Sequence, residues 1–170
     1  MKKKRICLYY SILMLFCQCF TGVGIVSAIE SGQKASIVDH CDEIRENLKN
    51  VQKKDRQTRV YLGRIYETVL NKFETPLNLR LVENNMSDAN LLENQGKFAE
   101  ERKAFMDNYV SYQQLLEETI AIDCKNEPEK FYDSLKLTRS GRKLLSRNVT
   151  KLRELITEQV KIVLHIKEIL

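Results

Sequence analysis

Residues 131–170 read FYDSLKLTRSGRKLLSRNVTKLRELITEQVKIVLHIKEIL. Within them Phe131, Leu135, Thr138, Arg142, Leu145, Val149, Leu152, Ile156, Gln159, Val163, Ile166 and Leu170 recur in alternating steps of four and three. Nine of these twelve are apolar, and a period near 3.5 held over forty residues means a helix with a coiled-coil-like seam. Leu155, Ile162 and Ile169 add a flank, so the face is wide enough to meet two neighbours.

The same reading extends upstream. The series Ile37, Cys41, Ile44, Leu48, Val51, Asp55, Thr58, Leu62, Ile65, Val69 predicts a first helix over 37–84. Its stripe then slips to Tyr66, Leu70, Phe73, Leu77 and Leu81, a local change of supercoil phase. Pro76 falls in the same region and is expected to kink the helix there. Asn84 and Asn85 suit a left-handed helix end, and Ser87 or Asp88 can cap a second helix over 88–123. Its seam is Leu91, Gln95, Phe98, Arg102, Phe105, Tyr109, Tyr112 and Leu116. Asn126 is the expected cap of the third helix, 127–170, with Pro128 in its first turn and Glu129 three residues after the cap. Helices of this length span ~50–70 Å. Two short connections make neighbours antiparallel, so the expected fold is all-α: an elongated antiparallel three-helix coiled-coil-like bundle. Six Gly, two Pro and no Trp in 170 residues argue against turn-rich sandwiches and barrels.

The N-terminus reads as a targeting segment. Lys2, Lys3, Lys4 and Arg5 precede an apolar run from Ile6 to Phe20, and Val26 and Ala28 place short side chains at −3 and −1. Residues 1–28 are therefore expected to be a secretory signal peptide, with 29–36 a short linker. The alternative is an uncleaved membrane anchor, because residues 6–29 approach the ~20 residues a span needs; membrane contact is expected only through them. Cleavage removes four of the 28 basic residues and leaves 24 against 23 acidic, a net +1 in place of +5. It also removes Cys7, Cys17 and Cys19, leaving Cys41 and Cys124.

Two cysteines left in an exported chain read as a disulfide. The topology agrees, since residues equidistant from a hairpin turn lie side by side. The midpoint of Cys41 and Cys124 falls between Val82 and Glu83, beside the proposed turn.

Charge is segregated along the chain. Seven basic residues against two acids lie in 45–64, twelve acids against five bases in 83–133, and nine bases against three acids in 134–170. Either the charges pair across the bundle and set register, or the first and third helices form a basic ridge for an anionic lipid, wall polymer or nucleic acid. Pairing is favoured; nucleic acid is not expected of an exported chain without a recognition motif. Asp55, Arg102 and Arg142 are candidate buried polar register residues, because each occupies a seam position. Counted from the cysteine bridge, Arg142 lies about one turn and Arg102 about two turns out of line with Asp55, so Arg142 is the nearer partner.

No catalytic constellation emerges. His40 and His165 are the two histidines, too few to build a metal site with Cys41 consumed by the bridge. No phosphate loop, nucleophile elbow or helical zinc-binding pair occurs. Carboxylate neighbours such as Glu100 and Glu101 lie on helical surfaces without a base partner. Neither catalytic, cofactor nor metal residues are expected, and the chain is read as a non-enzyme.

Cys41 with Leu48, Arg56, Tyr61 and Leu62, then Phe98, Phe105, Tyr109 and Tyr112 before Cys124, then Phe131, Leu135, Arg139 and Leu144, follow a signal-peptide-like segment. In this the chain resembles a group of small uncharacterised exported helical proteins of bacteria with reduced genomes. Pro76 and the glycine-free turn at Asn84 and Asn85 depart from that pattern. The resemblance implies a helical bundle outside the cytoplasm and brings no activity. The expected role is thus binding, or a structural part of the cell envelope, with an unknown protein or envelope partner. A secreted cytokine-like effector and a periplasmic chaperone-like clamp are the alternatives.

Overall fold

The computed structural model describes residues 31–169, and the expected signal peptide lies outside them. The described residues are all-helical, without a strand. α1 is Ser31–Asp39 and α2 is Cys41–Thr68; a π-helical segment, Val69–Glu74, leads into α3, Thr75–Glu83. α4 is Ala89–Ala121 and α5 is Pro128–Ile169.

Three boundaries differ from the sequence expectation. Residues 31–36, expected as linker, are already helical, and the rod breaks instead at His40, whose backbone lies outside the helical region at φ −107°. The predicted kink at Pro76 takes the form of the π segment just before it. A proline has no N–H for the carbonyl four residues back and its ring crowds that carbonyl, so the turn ahead of Pro76 widens. The Thr75 N–H bonds the Leu70 carbonyl five residues back, and the Thr75 hydroxyl bonds the same oxygen at 2.9 Å. One extra residue in the turn rotates the stripe, and so Glu74 rather than Phe73 points inward. Phe73 is 64% exposed, whereas Glu74 is fully buried.

The first connection ends α3 in a Schellman arrangement. Asn85 adopts φ 55°, its N–H bonds the Val82 carbonyl, and the Met86 N–H bonds the Leu81 carbonyl. Asp88 then caps α4 by accepting from the Leu91 N–H at 2.9 Å. The second connection is organised by Asp123, not by Asn126. The Asp123 carboxylate accepts from the N–H groups of Lys125 and Asn126 and from the Asn126 side chain, which holds it below the usual carboxylate range.

α4 and α5 form the tight hairpin. Phe98, Phe105, Tyr109, Tyr112 and Leu116 of α4 share one core with Leu145, Leu152 and Leu155 of α5, whereas Phe131 and Leu135 of α5 join Ile37, Cys41 and Cys124 in a second; Leu91 of α4 is buried as well. Polar seams fix their register. Thr119 bonds Ser134 at 2.7 Å and Thr138 at 2.8 Å, and the buried Asn148 links Asn108 to Glu101. α2 joins this hairpin less intimately, burying fully only Cys41 and Tyr66 along its 28 residues. Tyr66 is seated edge-on between Phe98 and Phe105 at 6.0 and 5.6 Å. The Cys41–Cys124 disulfide ties the start of α2 to the end of the α4 arm, with Cα atoms 5.6 Å apart.

Candidate functional site

α2 lies on α4 and stays clear of α5 for most of its length, so a groove opens between the first helical arm (α2, the π segment and α3) and α5, with α4 as floor. One register governs its two walls. Asp55 pairs with Arg142 across 87 residues, and the same separation relates Leu62 to Val149 and Val69 to Ile156, which line the groove further along. The central section, about 540 Å³, has Leu62, Phe105, Tyr109, Leu145 and Val149 as apolar lining and Arg59, Arg139, Arg142 and Lys143 as cations. The distal section, about 480 Å³, runs between Val69, Phe73, Pro76 and Leu77 on one wall and Ile156, Val160, Val163 and Leu164 on the other, with Lys72 and Arg80 beside it.

Asp55 stands at the head of the central section. It accepts from the buried Tyr112 hydroxyl at 2.6 Å and, through both oxygens, from Arg142 Nε and Nη2 at 3.0 Å. Burial and the adjacent carboxylate push the Tyr112 hydroxyl well above the usual phenol range, and Asp55 likewise raises the Arg142 guanidinium. Arg142 is not the buried register residue the seam predicts, since its side chain is 57% exposed; Tyr112 is the buried partner. Arg102 is not joined to Asp55 at all. A long side chain at a seam edge reaches outward to water, and Arg102 there bonds Glu67 of α2 at 2.7 Å.

Some of the segregated charges pair between helices and others do not. Arg56–Glu117, Arg102–Glu67 and Asp55–Arg142 cross between helices, as do Lys125–Asp42 and Lys34–Glu129 at the disulfide end. Arg139 and Lys143 have no carboxylate partner among the described residues, and neither do Lys72 and Arg80. Arg59 sits 5.3 Å from the centre of the Tyr109 ring, so its charge rests on a π face rather than on an acid.

Behind the distal section lies Glu74. Neither carboxyl oxygen has a hydrogen-bond partner among the described residues, and the Oδ1 atom of the buried Asn94 is also unpartnered. Burial raises the Glu74 carboxyl from the ordinary 4.5 to about 7, with the neighbouring Gln159 pulling the other way. The sequence did carry a signal here: Leu70, Glu74, Leu77 and Leu81 keep steps of four, three and four, so Glu74 already stands in the apolar stripe. Arg59, Arg139 and Lys143 stand out in the sequence only as members of the two basic segments, because whether a carboxylate faces them is set by the packing of three helices.

His40 is solvent-facing, 3.6 Å from Glu43. Among the described residues no group of three or more His, Cys, Asp or Glu side chains converges as metal ligands, and no helix is long and apolar enough to cross a membrane. What the groove offers chemically is a positively charged rim over apolar walls. No family model, no curated protein and no solved structure matches the chain.

Proposed function

We propose that the chain is an exported, non-enzymatic helical protein, built as an elongated antiparallel three-helix coiled-coil bundle, that acts in binding or as a structural element of the cell envelope. The observation that carries this reading is the groove between the first arm and α5, where unpaired cations border exposed apolar walls. Apolar side chains exposed together in a recess mark an interaction surface more often than a scatter of single ones does. The Cys41–Cys124 disulfide supports the location, because such bridges persist in oxidising compartments and are rare in the cytosol.

The test is to block free thiols in the native cells, fractionate them, and crosslink the protein in place before mass spectrometry. The expected result is recovery outside the cytoplasm as the Cys41–Cys124 disulfide, with crosslinks from Lys143 or Lys72 to another protein. Retention in the cell envelope supports the structural role, whereas release into the medium favours a secreted effector. Recovery in the cytoplasm as two blocked thiols, or no crosslinked partner above background, overturns the reading.

A further inference from the structure

We infer that the groove receives an acidic amphipathic helix from a partner protein, so that the partner supplies the strand of packing this bundle lacks between its first arm and α5. The inference rests on the binding role proposed above and gives its partner a chemistry.

The shape comes first. Both walls are helices in parallel register, and their lining residues recur one heptad apart: Leu62 then Val69 on one side, Val149 then Ile156 then Val163 on the other. A fourth helix laid between two others finds ridges and grooves at this spacing, whereas a loop or strand does not. From Arg139 to Leu164 the α5 wall is roughly 37 Å long, the reach of about 25 helical residues.

The apolar content comes next. Phe73, Val160 and Leu164 face the distal section and are 64, 54 and 55% exposed, large side chains left in water on facing walls. A helix carrying apolar residues at i, i+3 or i+4, and i+7 buries such a set together. A flat lipid surface does not, because Phe73 and the Val160 and Leu164 pair stand on opposite walls of a groove.

Charge then selects the partner. Arg59, Arg139 and Lys143 border the central section, and Lys72 and Arg80 the distal one. The one carboxylate in the lining of both sections is Asp55, already occupied by Tyr112 and Arg142. A helix flanked by Glu or Asp finds a partner for each of these cations, while one flanked by Lys meets uncompensated repulsion.

The experiment titrates the oxidised protein with a designed peptide of about 25 residues. It carries Leu at a and d positions and Glu on both flanks, and binding is read by calorimetry. A Lys-for-Glu version and vesicles of phosphatidylglycerol with phosphatidylcholine are the comparison probes. The acidic peptide is expected to bind, with affinity falling as salt rises. Arg139→Glu with Lys143→Glu, both exposed and so compatible with folding, is expected to weaken it about tenfold or more. Val160→Ser with Leu164→Ser should weaken it similarly. Arg147→Glu with Lys151→Glu makes the same charge change on the other side of α5, where Lys151 lines a separate recess against α4, and should leave affinity within about threefold. Equal binding of the Lys peptide, equal loss in the off-groove variant, or groove-dependent binding of vesicles without the acidic peptide overturns the inference. So does an acidic peptide that fails to bind while crosslinks in cells reach a partner from another face, an outcome that leaves the binding role standing.

Discussion

The two ends of this molecule solve the same packing problem differently. At the disulfide end, Ile37, Cys41, Cys124, Phe131 and Leu135 form a closed cluster, and Asp42–Lys125 and Lys34–Glu129 lace its rim. Arg45 adds a hydrogen bond to the Ile120 carbonyl. At the other end, the helix widens into a π turn, a carboxyl group is buried without a partner, and Phe73, Val160 and Leu164 stand in water. Buried polar groups left unsatisfied cost about 1–3 kcal/mol each, so the distal end gives up stability that the stapled end keeps. Such local deficits concentrate where a structure must adjust or accept a partner. The contrast teaches that the chain is fixed where its arms are joined and open where the groove is most apolar.

The strongest way to break the contrast is to cut the staple. In the chain-entropy argument a bridge enclosing this many residues contributes roughly 4–5 kcal/mol. Cys41→Ser with Cys124→Ser is expected to lower the melting temperature by about 10–20 °C. A shift of only a few degrees means that packing, not the bridge, fixes that end.

Next in size is Glu74. Its carboxyl is raised from 4.5 to about 7 on folding, so the native state holds the proton more tightly than the unfolded one. That contribution is fully present below pH 4.5 and is lost as pH rises to about 7, a fall of roughly 3 kcal/mol. Glu74→Gln should therefore match the parent at pH 4 in chemical denaturation and exceed it by roughly that amount at pH 8. Parallel stability curves for the two proteins across this range would show that the carboxyl is not confined.

Asp55 sharpens the comparison midway between the ends. Asp55→Leu leaves the buried Tyr112 hydroxyl without an acceptor, at an expected cost of about 1–3 kcal/mol. Arg142→Ala should cost less than about 1 kcal/mol, since its guanidinium is half in water and screened. Equal losses in the two variants would move the weight of the cluster to the ion pair.

The smallest change lies in the distal half of α4. Gly96 has open space where a Cβ would sit, so Gly96→Ala is expected to stabilise by about 1 kcal/mol, seen as a matching rise in denaturation midpoint. A loss would place an unseen contact over that face.

Much of the helical pattern is legible in the sequence because heptads are local. The seams at Phe98, Phe105 and Tyr112 or at Phe131, Leu145 and Leu152 are written every three or four residues, and the cysteine pairing follows from counting about a turn. The π turn is not local in that sense. Pro76 marks trouble, yet whether the chain kinks outward or widens is decided by what α4 and α5 offer the displaced side chain. The sequence pattern admits either Phe73 or Glu74 between Leu70 and Leu77, since both keep steps of three and four, and the π turn selects Glu74. The groove is still less legible. It exists because α2 leans on α4 and not on α5, a choice made by contacts between residues far apart in the sequence. The unpaired state of Arg139 and Lys143 depends on that choice.

Hydrogen exchange of the oxidised, partner-free protein, followed by mass spectrometry near pH 6 and pH 8, tests the contrast most directly. With intrinsic rates corrected for pH, the account predicts slow exchange at both pH values in 41–48 and 112–121. It predicts faster exchange in 69–83, which opens further at pH 8 and is held near its pH 6 rate by Glu74→Gln. Uniform protection along the first arm, or opening that begins at the disulfide end, would contradict it.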